Sequence, residues 1–263
     1  MKIYFIEKSI PFNSLDIDKP FISGSEKTLI NISNELANYK NLIVKVFNLT
    51  ESKKIIGKIE WNNIENINPI DKPDILIGMS DANLLSFFKC KRNFLWSHSI
   101  QSIEKFLRKE QLFAFLKNKP VMILEGDYHF KNRSFFTSMF GKKKLPIAVD
   151  NDFINYKIDR QYVPSRKAIF TTRSDRNLDF LIKCWSSIVI ESDNSCLYIN
   201  PPFNLTDEHT KLGIRLRKKG NKFDLINELA SSRVMLNPGH KGEVYCLAAE
   251  EARELCVPIV TLG

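Results

Sequence analysis

Short apolar runs alternate with segments of helical periodicity along almost the whole chain, and this rhythm restricts the fold more than any other feature. Residues 2–6 read as a strand. In residues 25–39, Leu29, Ile32 and Leu36 recur at helical spacing. Residues 42–47 and 74–78 are further strands, the second introduced by Pro73. The apolar runs 93–96 and 121–124 are separated by a helical stretch over 100–116. The same alternation returns later, with strands expected at 168–171, 196–199, 234–236 and 258–262, and helices at 177–188, 223–230 and 244–255. The pattern predicts an α/β chain with mainly parallel sheets.

Residues 141–166 interrupt it. They hold Pro146, Pro164 and the run Lys142, Lys143, Lys144, as expected of an interdomain connection. The 263 residues suffice for two modest α/β domains, expected at 1–155 and 156–263. With Gly263 directly after a strand, the second is expected to be an incomplete Rossmann-like half.

Several classes are excluded on composition. No apolar run has the eighteen or more residues of a membrane span. The segment MKIYFIEKSIPF lacks the apolar core and cleavage site of a secretory leader, so a cytoplasmic location is expected. The 5 cysteines are scattered, odd in number and never in C-x-x-C spacing, so neither a disulfide framework nor a zinc site is expected. A formal charge of +9 suits nucleic acid, an anionic membrane surface or a phosphate-bearing substrate, but a lysine-rich solvated surface explains it equally well. Without a binding motif or a basic-aromatic stripe, no nucleic-acid partner is expected.

The chemistry concentrates in VMLNPGHKGEVYCLAAEEARELCVPIVTLG, residues 234–263. A strand leads through a Pro-Gly loop to Glu243, a helix and a last strand. Such junctions expose backbone N–H groups where the helix dipole favours an anion. Glu251 falls in the early turns of that helix, so that one of the two carboxylates can meet a sugar hydroxyl while the other accepts hydrogen bonds from a ribose diol. Taken alone, Glu250, Glu251 and Glu254 read as a solvated helix face.

The wider string resembles the signature of the family 4-like retaining glycosyltransferases (glycosyl transferases group 1). These carry a loop proline, Glu, seven residues, Glu-Ala, then a strand opening Val-Pro-Ile-Val; Glu243, Glu251, Ala252, Val257, Pro258, Ile259, Val260 and Thr261 take those places. The family's glycines after the first glutamate are replaced here, with Val244 and Cys246 in their stead. The resemblance implies a GT-B fold, two Rossmann-like domains facing a central cleft. It also implies that Tyr245, Cys246 and Leu247 lie along the nucleotide-sugar. The stretch IFTTRSDRNLDFLIKCW resembles the opening of the family's C-terminal domain, whose basic loop meets the departing diphosphate; Arg176 and, second, Arg173 take that place. Ser23-Gly24-Ser25-Glu26 and the helix after it resemble the family's glycine-rich acceptor loop, Gly24 permitting close approach; a plain helix cap reads equally well. Phe94-Leu95-Trp96-Ser97-His98 resembles the strand that ends in a histidine near the donor sugar, whereas His129 and His240 carry weaker signals. Asp150-Asn151-Asp152 and Asp16-Ile17-Asp18 are chance-level Asp-x-Asp pairs, and no metal is expected.

The resemblance thus implies metal-independent, retaining transfer of a sugar from a nucleotide diphosphate-sugar, a donor substrate and not a cofactor, to a saccharide or lipid-linked acceptor. Surface polysaccharide or lipopolysaccharide synthesis, with peripheral contact to an anionic inner membrane face, is the implied setting. The alternative is a degenerate or truncated nucleotide-sugar-binding or partner protein without turnover.

Overall fold

The computed structural model describes residues 1–19, 22–68, 70–158, 164–191, 194–218, 220–240 and 242–261. Residues 262 and 263, where the last strand was expected to end, lie outside it, as do 159–163 of the expected connection. The chain divides into two compact units, Met1–Ile147 and Ala148–Gly263.

The first unit's strands are β1 (Lys2–Ile6), β2 (Ile43–Asn48), β3 (Lys54–Ile56), β4 (Ile59–Asn63), β5 (Ile75–Met79), β6 (Asn93–Trp96), β7 (Val121–Leu124) and β8 (Lys142–Lys144). Its helices are α1 (Gly24–Ala37), α2 (Ile103–Arg108), α3 (Leu112–Asn118) and α4 (Asp127–Asn132). Among the described residues the strands form one 8-stranded sheet in the order β3-β4-β2-β1-β5-β6-β7-β8, parallel except for the β3–β4 pair. Alternate residues feed opposite faces, as a sheet covered on both sides requires. Ile3 and Phe5 join Val44, Val46, Trp61 and Trp96 under α1, while Tyr4 and Ile6 join Leu76, Leu95, Phe106 and Phe115 on the other side.

Two expectations change here. The helix over 100–116 is two helices, because Glu110 adopts a left-handed conformation (φ 54°) and the N–H of Gln111 returns to the carbonyl of Phe106 at 2.8 Å. Lys142, Lys143 and Lys144 are not connection but an edge strand, paired with Met122, Ile123 and Leu124.

The second unit carries α5 (Asn151–Ile154), β9 (Lys167–Phe170), α6 (Leu178–Glu191), β10 (Cys196–Ile199), α7 (Asp207–Lys211), β11 (Ile214–Leu216), α8 (Lys222–Ala230), β12 (Val234–Asn237), α9 (Leu247–Glu254) and β13 (Ile259–Thr261). Its described strands form a 5-stranded parallel sheet, β11-β10-β9-β12-β13. Leu178, Leu181 and Trp185 of α6 cover one face with Phe170, Leu197 and Ile199. On the other, Phe153, Ile226, Leu229, Ala252 and Leu255 pack on Ile169 and Met235. Phe153, in a stretch the sequence assigns to the first half, is therefore a core residue of the second unit.

Caps set the helix ends. Asn221 and Asp224 form a reciprocal capping box at α8. Beyond α9, Cys256 takes a left-handed conformation (φ 49°), and the N–H of Val257 returns to the Ala252 carbonyl at 2.9 Å. That is the role a glycine usually fills. No helix among the described residues is long and apolar enough to cross a membrane.

Candidate functional site

In the second sheet β9 lies between β10 and β12. Connections leave β9 and β12 toward opposite sides there, and in open α/β sheets the carboxyl ends of such a pair flank the ligand crevice. The loops that leave these ends, 171–177 and 238–246, carry five of the residues singled out by sequence: Arg173, Arg176, Glu243, Tyr245 and Cys246. They are tied together. The guanidinium of Arg176 lies 3.1 Å from Nδ1 of His240, and the Asn177 side chain donates to the Gly239 carbonyl at 2.5 Å. Gly239 has φ 73°, a conformation that favours glycine at this crossing point.

Loop 171–177 is also held from behind. The Asn200 side chain, at the end of β10, donates to the carbonyls of Thr171 and, at 3.2 Å, Thr172. Asn200 in turn accepts from Arg217, whose buried guanidinium also grips Glu228 at 2.6 and 2.8 Å. Within the loop, exposed Arg173 is hydrogen-bonded to Asp175 (3.0 Å from Nε), which raises its pKa and lowers that of Asp175. Arg176 bonds instead to an imidazole.

Glu243 is half-buried, and its N–H reaches the His240 carbonyl at 2.9 Å. The Cys246 side chain, where the resemblance expects a glycine, turns back toward the strand end and accepts from Asn237 at 3.2 Å. Burial, then the charge of Glu243, pushes this thiol up to about 12. The helix begins at Leu247, three residues later than expected, with Cys246 as N-cap. The Cys246 carbonyl accepts from Ala249 at 3.1 Å and Glu250 at 3.2 Å. The N–H groups of Leu247 and Ala248, in the first turn, have no helical carbonyl to bond. Glu251 lies half-buried in the second turn. Glu250 pairs with Arg253 at 2.6 Å, and Arg253 with Glu254 at 3.3 Å; both glutamates are half-buried.

Gly24 and His98 belong to the first unit, whose switch point lies between β1 and β5. Gly24 is the first residue of α1, but that end is occupied by the helix's own Glu26. Its carboxylate accepts from the N–H of Ser23 at 3.1 Å and the hydroxyl of Ser9 at 2.8 Å. Burial opposes its charge, yet the serine hydrogen bonds hold its pKa below the usual value. Glu7, bonded to the Ser9 N–H at 2.7 Å, is pushed up by burial. Two carboxylates at one helix start suit hydroxyl groups better than a phosphate.

His98 follows β6, stacked on Trp96 with ring centroids 5.7 Å apart. Its Nδ1 contacts the carboxylate of Glu125, which directly follows β7 and is 2% exposed. The Glu125 N–H lies 3.4 Å from Nδ1 of His129, an imidazole whose pKa burial lowers. Sequence reasoning missed Glu125, although it directly follows the apolar run Val121–Leu124. Of the Asp-x-Asp carboxylates, Asp150 and Asp152 are bridged by Lys222 at 2.8 and 2.5 Å, and Asp16 accepts from the Asn13 N–H at 2.8 Å.

No protein-family model matches the chain, and no curated protein matches it in sequence. Solved structures do match in shape. HepE from Anabaena in complex with UDP-glucose is 13% identical with a TM-score of 0.65, the match covering 99% of this chain and 80% of that one. Sucrose-phosphate synthase from Thermosynechococcus elongatus is 9% identical with a TM-score of 0.64, over 99% and 80% of the two chains. The catalytic domain of starch synthase IV from Arabidopsis thaliana, bound to ADP and acarbose, is 9% identical with a TM-score of 0.61, over 99% and 82%. With its two Rossmann-like parallel-sheet units, the chain has the GT-B fold.

Proposed function

We propose that the chain is a retaining, metal-independent glycosyltransferase that moves a sugar from a nucleotide diphosphate-sugar to an acceptor hydroxyl. The observation that supports this reading is the switch point of the second sheet, where Arg176 bonds to His240 of the loop that bears Glu243 and leads into α9. The similar structures of HepE and starch synthase IV hold UDP-glucose and ADP, which supports a nucleotide-linked donor here.

In this scheme the charge that develops on the leaving diphosphate is met by Arg176, then Arg173, and by the first-turn N–H groups at Leu247, an electrostatic form of catalysis. Tyr245 and Cys246 contribute backbone along the donor; the Cys246 sulfur is turned away toward Asn237. Glu251 accepts hydrogen bonds from the ribose diol, and Glu243 orients the sugar. In the first unit His98, steadied by Glu125, meets the donor sugar, and the Gly24 turn receives the acceptor. A hydroxyl-rich saccharide or lipid-linked acceptor suits the Glu7–Glu26 edge, and surface polysaccharide or lipopolysaccharide assembly at an anionic membrane face is the setting proposed.

Thermal-shift measurements with UDP-, GDP-, ADP- and CMP-sugars test the reading. One class should stabilise the chain selectively, by about 2.7 kcal/mol at a hundredfold excess over Kd. Transfer assays with that donor follow. Arg176→Ala should weaken donor binding roughly 10- to 100-fold, the loss of a charged hydrogen bond, and Glu251→Ala should raise KM or abolish turnover. Selective binding without transfer or hydrolysis would favour the nucleotide-sugar-binding protein; no stabilisation by any donor would end both readings.

A further inference from the structure

His240 attracts little notice in the sequence, yet its ring joins the loop 238–246 to Arg176 of the other loop at the second unit's switch point. Two donors converge on its Nδ1: the guanidinium of Arg176 at 3.1 Å and the backbone N–H of Gly242 at 3.0 Å. Arginine carries no acceptor and remains charged, and a backbone N–H can only donate. Nδ1 must therefore present its lone pair, which leaves the ring proton on Nε2. Gly242 sits tightly beneath the ring, since a Cβ there would lie 3.2 Å from Nδ1 and Cε1. The ring is thus oriented from its own loop and offers one acceptor to the arginine across the crossing.

We propose that His240 is a positioning residue, which holds Arg176 through an unprotonated Nδ1 and so sets where that guanidinium meets the donor's diphosphate. The proposal rests on the transferase reading above for its consequence, but not for its geometry. A neutral acceptor is a suitable anchor, because it orients the guanidinium without cancelling its charge. A carboxylate would neutralise it, as Asp175 does for Arg173. Proton binding at Nδ1 converts acceptor to donor, so His240 can hold Arg176 only while neutral. Among the described residues, Arg176 contacts the ring directly and Asp175 lies close enough to couple electrostatically to both Arg176 and His240.

Nitrogen-15 NMR of the full chain tests the geometry without any donor. Among the chain's 4 histidines, the His240 signals, assigned by their loss in His240→Ala, should show the Nε2–H tautomer at neutral pH. An Nδ1–H form, or a doubly protonated ring there, overturns the proposal whatever the enzyme does. The functional arm uses the donor that stabilises the wild-type chain. His240→Ala should raise the donor Kd roughly tenfold, the worth of one charge-assisted hydrogen bond, with the melting temperature without ligand little changed. His240→Asn, whose amide oxygen can replace Nδ1, should restore binding. If His240→Ala binds the donor as wild type does, or His240→Asn binds it no better than His240→Ala, His240 does not position Arg176. Failure of every donor to bind wild type would instead end the transferase reading.

Discussion

Glu228→Ala offers the sharpest test of how the second unit supports its loops. Arg217 is buried, its side chain 9% exposed, and it spends Nε and one terminal nitrogen on a single oxygen of Glu228 at 2.8 and 2.6 Å. Its other terminal nitrogen goes to Asn200, which pins loop 171–177. Removing the carboxylate leaves a buried cation without its counter-charge, which typically costs about 3–5 kcal/mol. Glu228 is 22% exposed, so water partly replaces it, and about 2–3 kcal/mol is the appropriate figure. For a unit of this size that lowers Tm by roughly 6–12 °C. Urea unfolding followed by tryptophan fluorescence, where Trp185 reports the second unit, measures the loss. A companion variant, Arg217→Met with Glu228→Leu, removes both partners and should recover most of the loss. A loss below about 0.5 kcal/mol for Glu228→Ala, or a double variant as unstable as the single one, would refute the reasoning.

The Cys246 thiol, pushed up to about 12, should resist alkylation at pH 8, where a pKa near 12 leaves a thiolate fraction of only about 1 in 10,000. Exposed Cys256 should label first, and equal rates by mass spectrometry would contradict the burial of Cys246 against Glu243. In the first unit, burial opposes ionisation of Asp71, but hydrogen bonds from Lys45, Tyr4 and Lys2 hold its carboxyl well below the usual range. A depressed carboxyl contributes stability above its unfolded pKa of about 3.9 and loses it as pH falls toward the folded value. Asp71→Asn should therefore be less stable than wild type at pH 7, with a gap that closes below about pH 4 in urea titrations. A gap that stays constant with pH would remove the ionic part of that network.

What could be read from residues alone depended on where the stabilising partner lies. The central strands were legible because their own apolar runs are buried on both faces, as in Lys2–Ile6 and Val121–Leu124. Strand β4 was not, since Ile59–Asn63 mixes Trp61 with Glu60, Asn62 and Asn63, and only its pairing with β2 explains it. The break at Glu110 carries no glycine or proline to announce it. At the site, Arg176, Glu243 and Glu251 stood out through motif spacing. Glu125 and His240 did not, because each acquires its partner from another loop: His98 for the first, Arg176 for the second. Cys246 was visible as a departure from glycine, but the inward turn of its sulfur depends on Asn237, nine residues earlier.

The lysine strand β8 has a consequence for how copies of this molecule treat one another. An outermost strand offers unpaired amides and carbonyls to any passing extended segment, the first step toward uncontrolled association. Here that rim is three consecutive lysines, and the opposite rim, β3, begins with exposed Lys54. A second copy that docked edge to edge at β8 would bring like ammonium groups together, a repulsion that opposes pairing of the open rim.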